Sequence, residues 1–248
     1  MLIDTHCHIH EVDYPLDVSD TLIRAHEKNV DMLICVGTSI DSSQRAVAFA
    51  AEHPEAFASI GVHPHDTKDG YESIAGLVGS NKIVAVGEVG LDYYYNHSPR
   101  DVQITALRWH IELALQHDLP LIFHVRDAFE DFWPVFDSYS GIRGELHSFT
   151  DSKQNLDRAL QNGLYIGVNG ISTFTKDPAQ LVMFNSIPLD RLLLETDAPF
   201  LTPAPFRGKV NEPAFVWNIA DFHAARRGIT ALQLGSATSA NASALFAL

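Results

Sequence analysis

Two histidines one residue apart, His6 and His8, close the first apolar run of the chain, LIDTH. In an extended strand alternate side chains share a face, so both imidazoles point the same way and offer two nitrogen donors to a divalent cation. Cys7 between them must face the other side and is read as a packed thiol, not a third ligand. The weight comes from the ends of other apolar runs. Glu88 follows IVAVG, His124 follows LPLIF, His147 follows RGEL and Asp197 closes RLLLETD. Four imidazoles and two carboxylates form a mixed nitrogen and oxygen set suited to two divalent cations such as zinc or manganese, whereas magnesium favours oxygen donors. Left unpaired, buried carboxylates would cost several kcal/mol each to dehydrate.

Other polar residues fall near these ends. His63 and His65 share a face after the third run, and Arg126 shares a face with His124, placed to fork onto a phosphate or to pair with Asp92 or Asp127. Arg207 and Lys209 supply positive charge in a late loop, and Tyr93, Tyr94 and Tyr95 offer rings for packing or for an unpaired base. His110 and His117 sit in a helical stretch and are expected on an outer or rim surface, remote from chemistry.

The elements that must position these groups are short buried strands, expected at 2–6, 30–36, 56–62, 82–87, 119–125, 143–147, 163–168 and 191–196. Helical patterns fill most gaps, at 20–28, 41–52, 101–117 and 152–162. Eight strands alternating with helices predict an α/β fold, a (β/α)8 TIM-type barrel, regular or distorted, as a single domain over 1–248. In such barrels the residues at the C-terminal ends of the strands face one bowl, which would gather the six donors. A doubly wound dinucleotide sheet is disfavoured because the first strand leads into His-x-His and not a glycine fingerprint, so no nucleotide cofactor is expected. Residues 198–213 hold four prolines and no periodicity, the pattern of a fixed loop beside the pocket.

Composition narrows the partners. With 17 Lys+Arg against 31 Asp+Glu the net charge is −14, which argues against a long cationic track for duplex nucleic acid but not against a local phosphate pocket. Thirteen histidines against six lysines again point to metals. No apolar run approaches the roughly 18 residues of a membrane span, no export signal opens the chain, and two cysteines fit a reducing compartment. A cytoplasmic protein with no membrane partner is expected.

The blocks IDTHCHIH (3–10), GVHPH (61–65), VGEVGLDYY (86–94), FHVRDA (123–128), HSF (147–149) and LETDAPFLTPAPFRGKVNEP (194–213) together resemble the TatD-type deoxyribonucleases, metal-dependent hydrolases of the amidohydrolase superfamily. The resemblance spans the whole chain. It implies a barrel with a bridged two-metal centre and hydrolysis of phosphodiester bonds in DNA. His6, His8, Glu88 and Asp197 would hold one cation, and Glu88, His124 and His147 the other. Ser148 and Val125 depart from the Cys and Ser frequent in relatives, which puts the substrate preference in question and leaves every ligand in place.

The chemistry expected is attack of a metal-activated water on phosphorus, with Asp197 as proton acceptor, Glu88 as the bridging catalytic carboxylate, and His63, His65, Arg126 and Arg207 as contacts to substrate. The sparse cations favour an exonuclease working on single-stranded DNA ends. Two alternatives stand beside it: hydrolysis of a small lactone, cyclic amide or phosphoester, and a metal-bound scaffold without activity. Glu88 at the bridge, where lactonase-like relatives commonly carry a modified lysine, weighs against the first alternative. An intact donor set weighs against the second.

Overall fold

The computed structural model describes residues Met1–Leu248. Eight strands, β1 (Leu2–Cys7), β2 (Val30–Val36), β3 (Ala56–Ile60), β4 (Ile83–Asp92), β5 (Leu121–Arg126), β6 (Gly144–Leu146), β7 (Tyr165–Val168) and β8 (Leu192–Leu194), are hydrogen-bonded in that order. This is the strand order of a (β/α)8 TIM barrel. Nine α-helices accompany them: α1 (Val18–Glu27), α2 (Ile40–Glu52), α3 (Arg100–Gln116), α4 (Phe129–Phe136), α5 (Lys153–Gln161), α6 (Ile171–Phe174), α7 (Pro178–Ser186), α8 (Val216–Arg227) and α9 (Ala231–Phe246).

The alternation read from the sequence holds except between β3 and β4, where only 3-10 turns form, at Thr67–Asp69 and Glu72–Leu77. Gly70 and Gly79 take positive φ in this stretch, and such residues break an α-helix. Five of the nine helices, α1, α2, α5, α7 and α9, start at side-chain caps. Asp17, Ser39 and Ser152 accept the amides of Asp20, Ser42 and Asn155, and Thr230 forms a capping box with Gln233.

The chain packs as two compact units. The first joins Met1–Ile34 to Ser148–Leu248. In it β7 pairs with β8 in parallel, and β8 runs on beside β1 through amide bonds from Asp197 to the His6 carbonyl and from His8 to the Ala198 carbonyl, both 2.8 Å. Helices α8 and α9 cover this part of the sheet with buried Ile219, Leu234 and Ala242. At Gly235 a β-carbon would lie 2.6 Å from the end of the Leu2 side chain, which would have to shift to admit it.

The second unit, Cys35–His147, carries β3 to β6 in parallel register. Phe123 on β5 packs against Phe132 and Phe136 of α4 at ring separations of 5.1 and 6.1 Å. These rings are buried, and truncating one to alanine would cost about 3–5 kcal/mol. Gly90 lets β4 approach β5 beside His124: its φ is 151°, and a β-carbon would collide with the His124 carbonyl. His110, expected at an outer or rim position, is instead buried in this unit, with Nδ1 donating to the Ala106 carbonyl at 2.7 Å and its ring beside Tyr71 and Trp109. Its place on α3 leaves it without a catalytic neighbour. His117 is exposed, as expected. No helix is long and apolar enough to cross a membrane.

Candidate metal centre

The first unit brings together three of the six expected donors. His6 and His8 leave β1 on one face, and their Nε2 atoms lie 3.2 Å apart. Asp197 Oδ1 is 3.7 Å from His6 Nε2 and 3.2 Å from His8 Nε2. Asp197 follows β8 in a left-handed conformation, φ 58°, which an Asp adopts more readily than most residues but still at some cost. The surrounding bonds hold it there. Its amide is fixed on the His6 carbonyl, and Asn211 donates Nδ2 to the flanking carbonyls of Thr196 and Phe200 at 2.7 and 2.5 Å. Cys7 turns away, its thiol 3.5 Å from the Ile34 carbonyl, as the strand alternation required.

The second unit gathers the other three around Glu88. Its Oε1 is 2.8 Å from His124 Nδ1, 3.2 Å from His147 Nε2 and 3.7 Å from His63 Nε2. Burial pushes the Glu88 carboxyl up, but His147, His63 and the hydrogen bonds from His124 and His147 outweigh it and leave the group well below the usual carboxylate range. His63 behaves oppositely: burial and then the adjacent His124 hold it well below 6.5. His124 loses stability as a cation through burial, yet Asp92 and Glu88, one on each ring nitrogen, raise it overall.

Asp92 is the functional residue that sequence reasoning passed over, except as a partner for Arg126. Its Oδ2 accepts from His65 Nε2 at 3.0 Å and His124 Nε2 at 3.1 Å, and its Oδ1 accepts the amides of Tyr94 and Tyr95, each at 3.0 Å. These hydrogen bonds hold it far below its ordinary value in spite of burial. The signal was present, because Glu88, Gly90 and Asp92 alternate on one face once β4 is carried beyond Gly87.

The expected substrate contacts divide. His63 and His65 meet edge to face at 4.3 Å beside Glu88 and Asp92. Arg126 makes no salt bridge to Asp92 or Asp127. It lies over the Tyr94 ring at 4.0 Å. Arg207 donates Nη1 to the Thr202 carbonyl and lies 3.8 Å over Phe174, while Lys209 is exposed over Phe206.

His6, His8 and Asp197 bring ligand atoms close enough to share one divalent cation, and in the second unit His63, Asp92 and His124 do the same. The facing Nε2 atoms of His6 and His8 can satisfy one another only by sharing a proton, whereas a cation accepts a lone pair from each together with an Asp197 oxygen. Glu88, with three imidazoles near one of its oxygens, offers a buried carboxylate donor within the second unit.

A family model described as TatD related DNase matches residues 3–247. The chain belongs to this family. A metal-dependent hydrolase of Bacillus subtilis, YabD, is 38% identical with 99% of each chain covered. A Salmonella typhimurium protein named 3'-5' ssDNA/RNA exonuclease TatD is 34% identical with 93% of each chain covered. Among solved structures, the TatD homologue YJJV of Escherichia coli superposes with a TM-score of 0.91 at 28% identity, covering 100% of this chain and 98% of its own. The (β/α)8 fold therefore extends to TatD structures, and as a family member the chain is a metal-dependent hydrolase acting on ester bonds.

Proposed function

We propose that this TatD-family hydrolase is a deoxyribonuclease of the cytoplasm that removes nucleotides from single-stranded DNA ends, using two divalent cations, zinc, manganese or magnesium. In this reading residues 1–248 work as one hydrolase domain. His6, His8 and Asp197 hold one cation, His124 and His147 the other, and Glu88 is shared. The observation that carries it is the Glu88 carboxylate, 4% exposed and held ionised among His124, His147 and His63. Two relatives named as single-strand exonucleases, 35% and 34% identical, support the substrate class.

When bound, such cations neutralise phosphate charge and lower the pKa of water. The chain supplies the rest. Asp197, 16% exposed at its side chain, can accept the proton of the attacking water. His63, neutral near pH 7, can donate to a phosphate oxygen or to the leaving oxygen, and His65 is held beside it by Asp92. Arg126 presents its fork to a phosphate oxygen pair, and Arg207, one donor of which is engaged by Thr202, keeps others for the DNA backbone.

Purified protein should release mononucleotides from end-labelled single-stranded DNA, lose activity in chelator and recover it with added metal. His124→Ala and Asp197→Asn should lower hydrolysis by at least about 100-fold, no less than the loss of an outer-shell partner costs. Both should retain the circular dichroism of the wild type and carry less metal by mass analysis. Undiminished DNA hydrolysis in either variant, or turnover of a lactone control in place of DNA, overturns the reading.

A further inference from the structure

Three consecutive tyrosines follow β4, and only the first has its hydroxyl bonded to another side chain. Tyr93 donates its hydroxyl to Asp131 at 2.8 Å and has Arg100 over its ring at 4.1 Å. Tyr94 and Tyr95 are 58% and 53% exposed. Their backbone is nevertheless held tightly. Asp92 Oδ1 accepts both amides, Gln103 bonds the Asp92 amide and carbonyl, and Ser98 donates to the His65 carbonyl. A loop this constrained could have hidden its rings; instead it presents them to water, forgoing the burial energy of two large aromatic groups.

The rings are arranged around a cation and a further ring. Arg126 lies 4.0 Å over Tyr94 and 5.0 Å from Tyr95. His97 is stacked on Tyr95 with an interplanar angle of 11° and a centroid separation of 5.7 Å. With its guanidinium carbon over the Tyr94 ring and no carboxylate paired to it, Arg126 keeps N–H donors for a further acceptor. The combination of exposed aromatic rings on a constrained backbone with an unspent positive fork fits one ligand chemistry, an unpaired nucleobase whose phosphate lies within reach of a cation. A base inside a duplex has no free face and would not use it. Asp92 ties this surface to the centre described above, since its other oxygen holds His65 and His124.

We infer that Tyr94, Tyr95 and His97 form a stacking site for an unpaired nucleobase at the substrate end, with Arg126 on the adjoining phosphate. This rests on the nuclease reading and supplies it with a physical basis for single-strand selection. The rings are specificity-determining and take no part in bond breaking.

The test uses chelator-treated full-length protein and a short oligonucleotide ending in 2-aminopurine, whose fluorescence falls on stacking. Wild type should quench the probe, and Tyr94→Ser/Tyr95→Ser should abolish quenching and weaken binding on the order of tenfold. The same oligonucleotide ending in an abasic residue should bind wild type and variant alike. Deoxy and ribo forms quenched equally would place recognition on the base, while quenching of one alone would assign the site to that nucleic acid. Equal losses with base-ended and abasic-ended probes would show that the rings only support the fold. Absence of quenching by wild type overturns the site while metal-loaded hydrolysis leaves the nuclease reading standing, whereas quenching without hydrolysis of any phosphodiester overturns the nuclease reading and leaves a nucleotide-binding surface.

Discussion

A single carboxylate can serve two purposes if its oxygens face different neighbours, and Asp92 does this. Oδ2 orients the imidazoles of His65 and His124, and Oδ1 fixes the tyrosine loop. Ordered in this way, His124 keeps one ring orientation, which would reduce the ordering lost if it binds a cation as proposed. Histidines away from the centre obey different physics. His110 is buried among aromatic rings with Nε2 unbonded, and burial lowers it from 6.5 to about 4 in spite of the Ala106 carbonyl. The folded state thus binds this proton less readily than the unfolded chain. Its stabilising contribution is complete above pH 6.5 and declines as pH falls toward 4, an interval of 2.5 units or about 3 kcal/mol. His110→Phe, which keeps an aromatic ring against Tyr71 and Trp109, should flatten that acid slope. Denaturant midpoints at pH 7 and pH 4.5 check it: the wild-type loss should exceed that of the variant, and parallel losses would exclude His110 as the source.

At the level of strands and loops, legibility followed the strength of local rules. The apolar runs bounded by breakers located all eight strands, since strands buried on both faces leave a continuous aliphatic trace, and strand parity put His6 with His8 and His124 with Arg126. Where β4 ended was harder to read. A run through Gly87, Gly90 and Asp92 looks like a turn, and only the close approach of Gly90 to the His124 carbonyl shows why the strand needs glycine there. The burial of His110 escaped because a lone histidine in a helix carries no sign of which face the core will claim. The loop at 198–213 was recognised as fixed, but its anchor was not visible. Asn211, fully buried, spans the carbonyls of Thr196 and Phe200, accepts the Glu212 amide, and is followed by Glu212 bonded to Arg24 of α1. Asn211→Ala would orphan two carbonyls, at about 1–3 kcal/mol each. Denaturant midpoints should fall accordingly, and since Asp197 sits between those carbonyls, calorimetric metal affinity should drop about 10- to 100-fold. Lower stability with unchanged metal affinity would limit the residue to holding the loop.

For the molecule as a whole, charge constrains how nucleic acid can be engaged. A chain at −14 repels a polyanion at long range, so affinity must come from a few local contacts and from the cations themselves. Arg126 is free of carboxylates, and Arg207 and Lys209 lie exposed on the loop after β8, each against a ring. With about one to three phosphates neutralised by side chains, and a salt slope near −0.7 per phosphate for single strands, chelator-treated protein should bind a single-stranded oligonucleotide with a log–log slope between about −0.7 and −2. Contacts confined to one end should also make that slope insensitive to length. Anisotropy titrations of a trinucleotide and a 20-mer across a salt series would therefore run parallel, whereas a slope that steepens with the longer strand would reveal an extended cationic track and displace end recognition.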